Sequence, residues 1–448
     1  MRPFPGAMTA AAMASLLLFA GCSLLSFPSS SGAASRAQFT MTETISDGAQ
    51  APTLAFAALA MMTGNLDAQS FFPPGKVADY TGFQYLRDND PSNMGHDTDF
   101  LTRIANNVIY ILNNGQMAQL AALAAAQESS VNLYAYKRFT LMTAFRELLA
   151  NDIPSGSTGL NIDAVKSASR DLYLVDGQIA FDRAVLYANI YHSMNGTQLA
   201  CLDAMRGKGY DSWPDVTSDQ IASKMRGLSS DDAVLVMTYA GDIFSWYAGS
   251  LEADVYFCPE RHGTYFGSFY MKDAPAIGVA DYSISEQLTA TAGSALCDSA
   301  EGFVTASQAA SISSLVDQQR DNLYAGSTSI VGVRTQIATL LRSLRASTAS
   351  GASVNAQVLA LSATYGELDG EDNYLYATTF ASVYASLSEA QKTKLAVLRA
   401  SIMSGTYADG STFDFSTCTS PYLYSSPLSD TSVVASYISN AASLFFEP

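Results

Sequence analysis

The chain has 448 residues, 48% of them hydrophobic, and a formal net charge of −17. Such an apolar fraction excludes wholesale disorder, and the length supports a substantial core with room for two or three domains. The acidic balance argues against nucleic acid or an anionic lipid surface as partner, because phosphate binding needs clustered Lys and Arg. It suits cation binding or plain solubility.

Taken from the start, Arg2 precedes an apolar stretch from Ala7 to Ala20, which runs into Leu18-Phe19-Ala20-Gly21-Cys22-Ser23. The stretch is short of the ~20 residues a membrane span needs, so it reads as a targeting segment. The small residues before Cys22 resemble the lipobox of bacterial lipoproteins, with Phe19 where that family usually has Leu. The resemblance implies a signal peptide over residues 1–22, with Cys22 lipidated as the first residue of the mature chain. Ser23 resembles the outer-membrane sorting class. The expected location is therefore the bacterial cell envelope, anchored to the membrane by lipid, on its periplasmic or surface face. An ordinary secretory signal cut near Ala33-Ala34 is the alternative. Residues 23–52, rich in Ser, Ala and Gly, read as a flexible tether.

Beyond the tether, one grammar recurs: an apolar residue, then Ser, Thr or Asn, then Gln or Asp at a fixed distance. It reads Leu112-Asn113-x-x-Gln116, Met194-Asn195-x-x-Gln198, Val304-Thr305-x-x-Gln308 and Leu387-Ser388-x-x-Gln391. Looser copies are Leu228-Ser229-x-x-Asp232 and Ile45-Ser46 to Gln50. This is the capping box of a helix start, in which the first side chain accepts from the first-turn backbone and the Gln reaches back. The boxes predict helices after residues 113, 195, 305 and 388. Leu120, Leu123 and Ala124 follow at helical spacing in one, Leu395, Leu398 and Ile402 in another. Asp176 and Asp369 are read as N-caps of further helices carrying Tyr187, Tyr191, Tyr376 and Tyr384.

The boxes also fall in pairs, 82 and 83 residues apart. At an offset of 193, Asp176-Gly177 matches Asp369-Gly370, Ala188 matches Ala381 and Arg206 matches Arg399. At 196, Arg138, Leu141 and Thr143 align with Arg334, Ile337 and Thr339. Self-similarity of this kind outranks local propensity as a fold clue. The expected architecture is all-α: two pseudo-repeated multi-helix bundles packed together, with long loops. Unit 1 spans 53–237, unit 2 spans 238–410, and a partial third element over 411–448 closes the fold. A short strand is conceivable at Tyr265–Tyr270.

Candidate chemistry is sparse. Asp88, Asp90 and Asp99 place oxygen ligands in a loop that loosely resembles a calcium site, but Asn93 stands where that loop needs Gly; a solvated acidic loop is the better reading, and no cofactor is assigned. The three His have no zinc-ligand spacing. Cys201, Cys258, Cys297 and Cys418 allow one or two disulfides in an oxidising compartment, with the pairing open and buried free thiols as the alternative. Glu367, Asp369, Glu371 and Asp372 form an acidic run, but Leu174 and Gln178 stand opposite Glu367 and Glu371 in the first copy, so a paired-carboxylate active site is not expected.

Exported helices opened by Leu-Ser/Thr-x-x-Gln resemble the periplasmic LTxxQ-motif family, small stress chaperones of the Spy and CpxP type; Leu387-Ser388-Glu-Ala-Gln391 is the nearest match. The resemblance implies helix–loop–helix units in the envelope and, with them, client binding. With no catalytic motif in view, the expected function is non-catalytic: binding a protein partner or client through helical faces. The alternative is a small ligand or metal ion in the cleft between the two copies.

Overall fold

The structure, a computed structural model, describes residues 98–205, 214, 216–248, 304–346, 351–406, 412–414 and 444–447, with Asp47, Leu54, Ala58, Met61 and Met62. It is mostly helical, 82% of it, and all-α in class. The described helices are α1 Thr98–Ile111, α2 Asn114–Ala150, α3 Ile162–Ser193, α4 Gly196–Met205, α5 Ser218–Lys224 and α6 Ser230–Ala248. They continue with α7 Ala306–Ser313, α8 Val316–Tyr324, α9 Ile330–Ser343, α10 Ala352–Ala385 and α11 Glu389–Met403. None of them is long and apolar enough to cross a membrane.

Local sequence explains the long helices. α2 opens at the Asn113 box and runs through an Ala-rich stretch of high helix propensity. It stops at Asn151, which turns left-handed (φ 57°) and donates its N–H to Glu147 and Leu148 carbonyls. α3 starts where Asn161 Oδ1 accepts from Ala164 N at 2.8 Å. At 32 and 34 residues, α3 and α10 are each about 50 Å long.

α3 and α10 lie antiparallel along their length. Gly177 faces Ser362, Gly366 faces Tyr173 and Gly370 faces Ser169, so one numbering rises as the other falls. The missing Cβ atoms let the backbones close in: a Cβ on Gly370 would sit 2.8 Å from Ser169 Cβ. Asp176-Gly177 and Asp369-Gly370 are thus mid-helix, and both aspartates are buried. The N-cap expected at Asp176 and Asp369 is incorrect. A mid-helix glycine costs about 1 kcal/mol of propensity, which here is offset by close helix approach.

Two apolar cores flank this pair. One joins α1, the first half of α2, the second half of α3, α4 to α6, α9 and the first half of α10, around Leu112, Leu120, Tyr187, Tyr239, Trp246 and Val358. The other joins the second half of α2, the first half of α3, α7 and the second half of α10, around Phe145, Leu172, Ile312 and Phe380. Each long helix therefore feeds both cores. The boundary expected at 237/238 falls inside α6, whose Ala233 and Val236 share a core with its Tyr239 and Ala240.

Among the described residues strand is confined to two small pairs. β2 Ser404–Thr406 and β3 Thr412–Asp414 form an antiparallel pair across the boundary expected at 410/411. β4 Phe446–Glu447, close to the end of the chain, pairs with β1 Gly159–Leu160, and Phe445 fills the second core. The lipobox, the Tyr265–Tyr270 stretch, Asp88 and Asp90, and Cys258, Cys297 and Cys418 lie outside the described residues.

Candidate functional site

The capping boxes form where the spacing places them, but they do more than start helices. Asn113 Oδ1 accepts from Gln116 N at 2.9 Å, and Asn113 N donates to Gln116 Oε1 at 2.9 Å. Asn195 and Gln198 repeat both bonds at 3.0 and 2.9 Å. The two boxes then join: Gln198 Nε2 donates to Gln116 Oε1 at 2.7 Å and to the Ile111 carbonyl at 2.7 Å. Gln116 Nε2 donates to Ser193 Oγ at 3.0 Å, at the last turn of α3.

The second pair is wired alike. Thr305 N and Ser388 N donate to Gln308 and Gln391 Oε1 at 2.8 and 2.9 Å. Gln391 Nε2 donates to Gln308 Oε1 at 2.8 Å, and Gln308 Nε2 donates to Ser386 Oγ at 2.9 Å. Ser193 and Ser386 each donate onward to a carbonyl of their own helix, Ile190 and Val383, both at 2.7 Å. Each relay ties two helix starts to the end of a long helix, and the first also reaches the last residue of α1. The apolar residues leading the boxes, Leu112, Met194, Val304 and Leu387, are all buried.

Cutting a relay is expected to cost more than a lost cap. Gln116→Ala strips a buried glutamine that serves three partners, and a loss of about 1–2 kcal/mol is expected by urea unfolding. With Gln198→Ala the two effects should be non-additive by at least ~0.5 kcal/mol, because the residues share a bond. Strict additivity would reduce the relay to two independent caps.

A further box, Val216-Thr217-Ser218-Asp219-Gln220, escaped the sequence reading although its grammar is the same; it opens α5 with both reciprocal bonds. The looser Ser229 box keeps one, Asp232 N to Ser229 Oγ at 3.0 Å.

Two buried polar clusters were also missed. In the first core, Arg183 of α3 contacts Asp242 of α6 at 2.6 Å with both side chains fully buried. Tyr187 donates to the same Asp242 oxygen at 3.2 Å, and the guanidinium sits 4.2 Å over the Tyr239 ring. Tyr239 donates to Gln127 Oε1 at 2.7 Å. Burial, more than the nearby charges, pushes the Tyr187 and Tyr239 hydroxyls up, so both stay neutral donors. The signal was present: a lone Arg spaced with Ile179, Ala180 and Tyr187 on one helix face, and a lone Asp inside Ala240-Gly-Asp242-Ile-Phe244. In the second core, Tyr376 donates to Gln319 at 2.5 Å and Asn322 donates to Asp372 at 2.6 Å.

The acidic run on α10 is split by helical geometry. Glu367 and Glu371, four apart, turn to α3, where they meet Arg170 at 3.4 Å and Lys166 at 2.5 Å. Asp369 and Asp372 turn into the core. Tyr187 and Tyr376 fill separate cores and do not line a common cleft. Asp99 lies in the first turn of α1. Cys201, on α4, is a half-buried free thiol. Among the described residues no group of three or more His, Cys, Asp or Glu is placed to hold a metal ion.

Compared with known protein families, with curated proteins and with solved structures, the chain finds no match in any of the three.

Proposed function

We propose that the chain is a lipid-anchored cell-envelope protein with a non-catalytic binding role, meeting a protein partner through its helical faces. The relay of paired boxes carries the reading. The resemblance to the LTxxQ-motif family rests on Leu112 to Gln116, Met194 to Gln198, Val304 to Gln308 and Leu387 to Gln391. Their side chains join helices to one another, which favours the helix–loop–helix unit implied by that resemblance over four unrelated caps.

The same observations favour a duplicated unit. Gly177 against Ser362 and Gly370 against Ser169 are reciprocal contacts at an offset of 193, the offset that also separates Ser193 from Ser386. A chain descended from two self-complementary copies would pair its central helices in this reciprocal way.

The surface bears on which partner is bound. Among the described residues the exposed large apolar side chains are Tyr110, Leu133 and Val185, on three different helices, and Leu444, just before β4. An unfolded client needs a contiguous apolar patch. A folded partner held by polar and charged contacts suits these faces and the net charge of −17 better. A ligand between the copies has less support, since glycine and serine contacts close the α3–α10 seam.

The test places a photo-crosslinking residue at exposed helical positions, Asp171 and Val185 among them, in the full-length protein in its own cells. A discrete protein adduct is expected at some of these sites; none at any site would sink the proposal. In parallel, a soluble form of residues 22–448 carrying Cys22→Ser is mixed with an aggregating client. Suppression near equimolar ratio would return the reading to chaperone-like client binding.

A further inference from the structure

The boxes of the two relays differ in one chemical respect. Thr305 and Ser388 cap the second relay with hydroxyls. Asn113 and Asn195 cap the first with carboxamides. The chain has two Asn-Gly steps, Asn114-Gly115 and Asn195-Gly196, and both lie in the first relay. At such a step no Cβ shields the glycine nitrogen, which is free to attack the neighbouring carboxamide carbon.

The surroundings of the two steps are unlike. Asn195 stands outside the helices, between the end of α3 at Ser193 and the start of α4 at Gly196. Both residues of this step are exposed, and a Cβ on Gly196 would meet nothing within 4 Å. Gly196 N is one of the first-turn N–H groups that a helix cannot bond within itself. Ring closure needs the Asn195 bond to Gln198 N to open, and α4, with ten residues, offers a short first turn to open. Asn114 is instead the first residue of the 37-residue α2. A Cβ on Gly115 would lie 3.3 Å from Asn113 Oδ1, within the box. Turning Asn114 would drag Gln116, which donates to Ser193 and accepts from Gln198.

We propose that Asn195 is a deamidation site, a slow chemical switch in the first relay that the second relay lacks. Gly196 N attacks Asn195 Cγ. The N–Cγ bond forms, the Cγ–Nδ2 bond breaks, and Nδ2 leaves as ammonia with the glycine N–H proton. Water then opens the cyclic imide at either carbonyl. One opening gives an aspartate, whose side-chain oxygen still accepts from Gln198 N and whose charge suits a helix start. The other gives an isoaspartyl linkage, in which the side-chain carbon joins the main chain. That linkage adds a methylene between α3 and α4 and takes the acceptor from Gln198 N, so the bond from Gln198 to Gln116 loses its support. Thr305 and Ser388 carry no carboxamide, so the second relay is untouched.

The experiment ages the full chain at mildly alkaline pH, native and in urea. Peptide mass spectrometry reads each asparagine, with fragmentation that separates aspartate from isoaspartate. In urea both Asn-Gly steps should convert at similar rates. In the native protein Asn195 should convert several times faster than Asn114. Asn195→Thr, which copies the Thr305 box, should abolish conversion there and keep the urea midpoint near that of the wild type. Hydrogen exchange of the aged wild type should show lost protection over 113–116 and 195–198 and none over 305–308. Asn195 that stays intact in the native protein while the urea sample converts, or Asn114 that converts as fast, overturns the site. Isoaspartate at 195 without lost protection in the first relay overturns the switch. Should Asn195→Thr not fold, the native and urea profiles of the wild type decide between the same outcomes.

Discussion

Arg183→Met is expected to destabilise the protein by about 3–5 kcal/mol, and Asp242→Leu by a similar amount. Each substitution leaves a fully buried charge without its counter-ion. After Arg183→Met, Asp242 would keep the Tyr187 hydroxyl at 3.2 Å, which cannot replace a guanidinium at 2.6 Å. Arg183 also lies over the Tyr239 ring at 4.2 Å, so its loss removes packing as well as charge. The double substitution should recover most of the loss, because two apolar side chains of similar volume need no partner. Urea unfolding of the four proteins at constant m-value measures this. Single losses below ~1 kcal/mol, or no recovery in the double, would mean that the pair is solvated or replaceable.

Gly366→Ala should cost about 2–3 kcal/mol through overpacking, against the ~1 kcal/mol that alanine gains in helix propensity. A Cβ at this position would lie 2.6 Å from the Ser169 carbonyl oxygen and 2.8 Å from Arg170 Cα. Those are backbone atoms, so α3 and α10 must move apart, disturbing the Tyr173–Tyr365 ring contact at 4.6 Å. Gly177→Ala provides the contrast. There the nearest atoms are Ser362 Oγ and Cβ at 2.3 and 2.8 Å, so Ser362→Gly should rescue Gly177→Ala. No neighbouring side-chain truncation should rescue Gly366→Ala. A stabilised Gly366→Ala would show that the two backbones are not in close contact.

Elements opened by a box were the most legible part of the chain. Asn113, Asn195, Thr305 and Ser388 mark helix starts, because the capping bond spans three residues and needs nothing from the rest of the fold. The N-caps expected at Asp176 and Asp369 failed for a matching reason. Asp-Gly is a local breaker signal, and only the neighbouring helix makes glycine worth keeping in mid-helix. The Gln–Gln bonds were hidden too, since 82 or 83 residues separate their ends. So was the pairing of Arg183 with Asp242, 59 residues apart.

By itself, then, the sequence determined where the box-opened helices begin, the all-α class and which faces are apolar, all consequences of bonding and periodicity within a few residues. Only the tertiary structure decided that α3 and α10 run unbroken through their glycines, that the capping glutamines lock in pairs, and that one buried aspartate meets an arginine and another a neutral amide. Those outcomes depend on which groups are brought together from distant parts of the chain, and on the cost of leaving a polar atom unbonded once water is excluded.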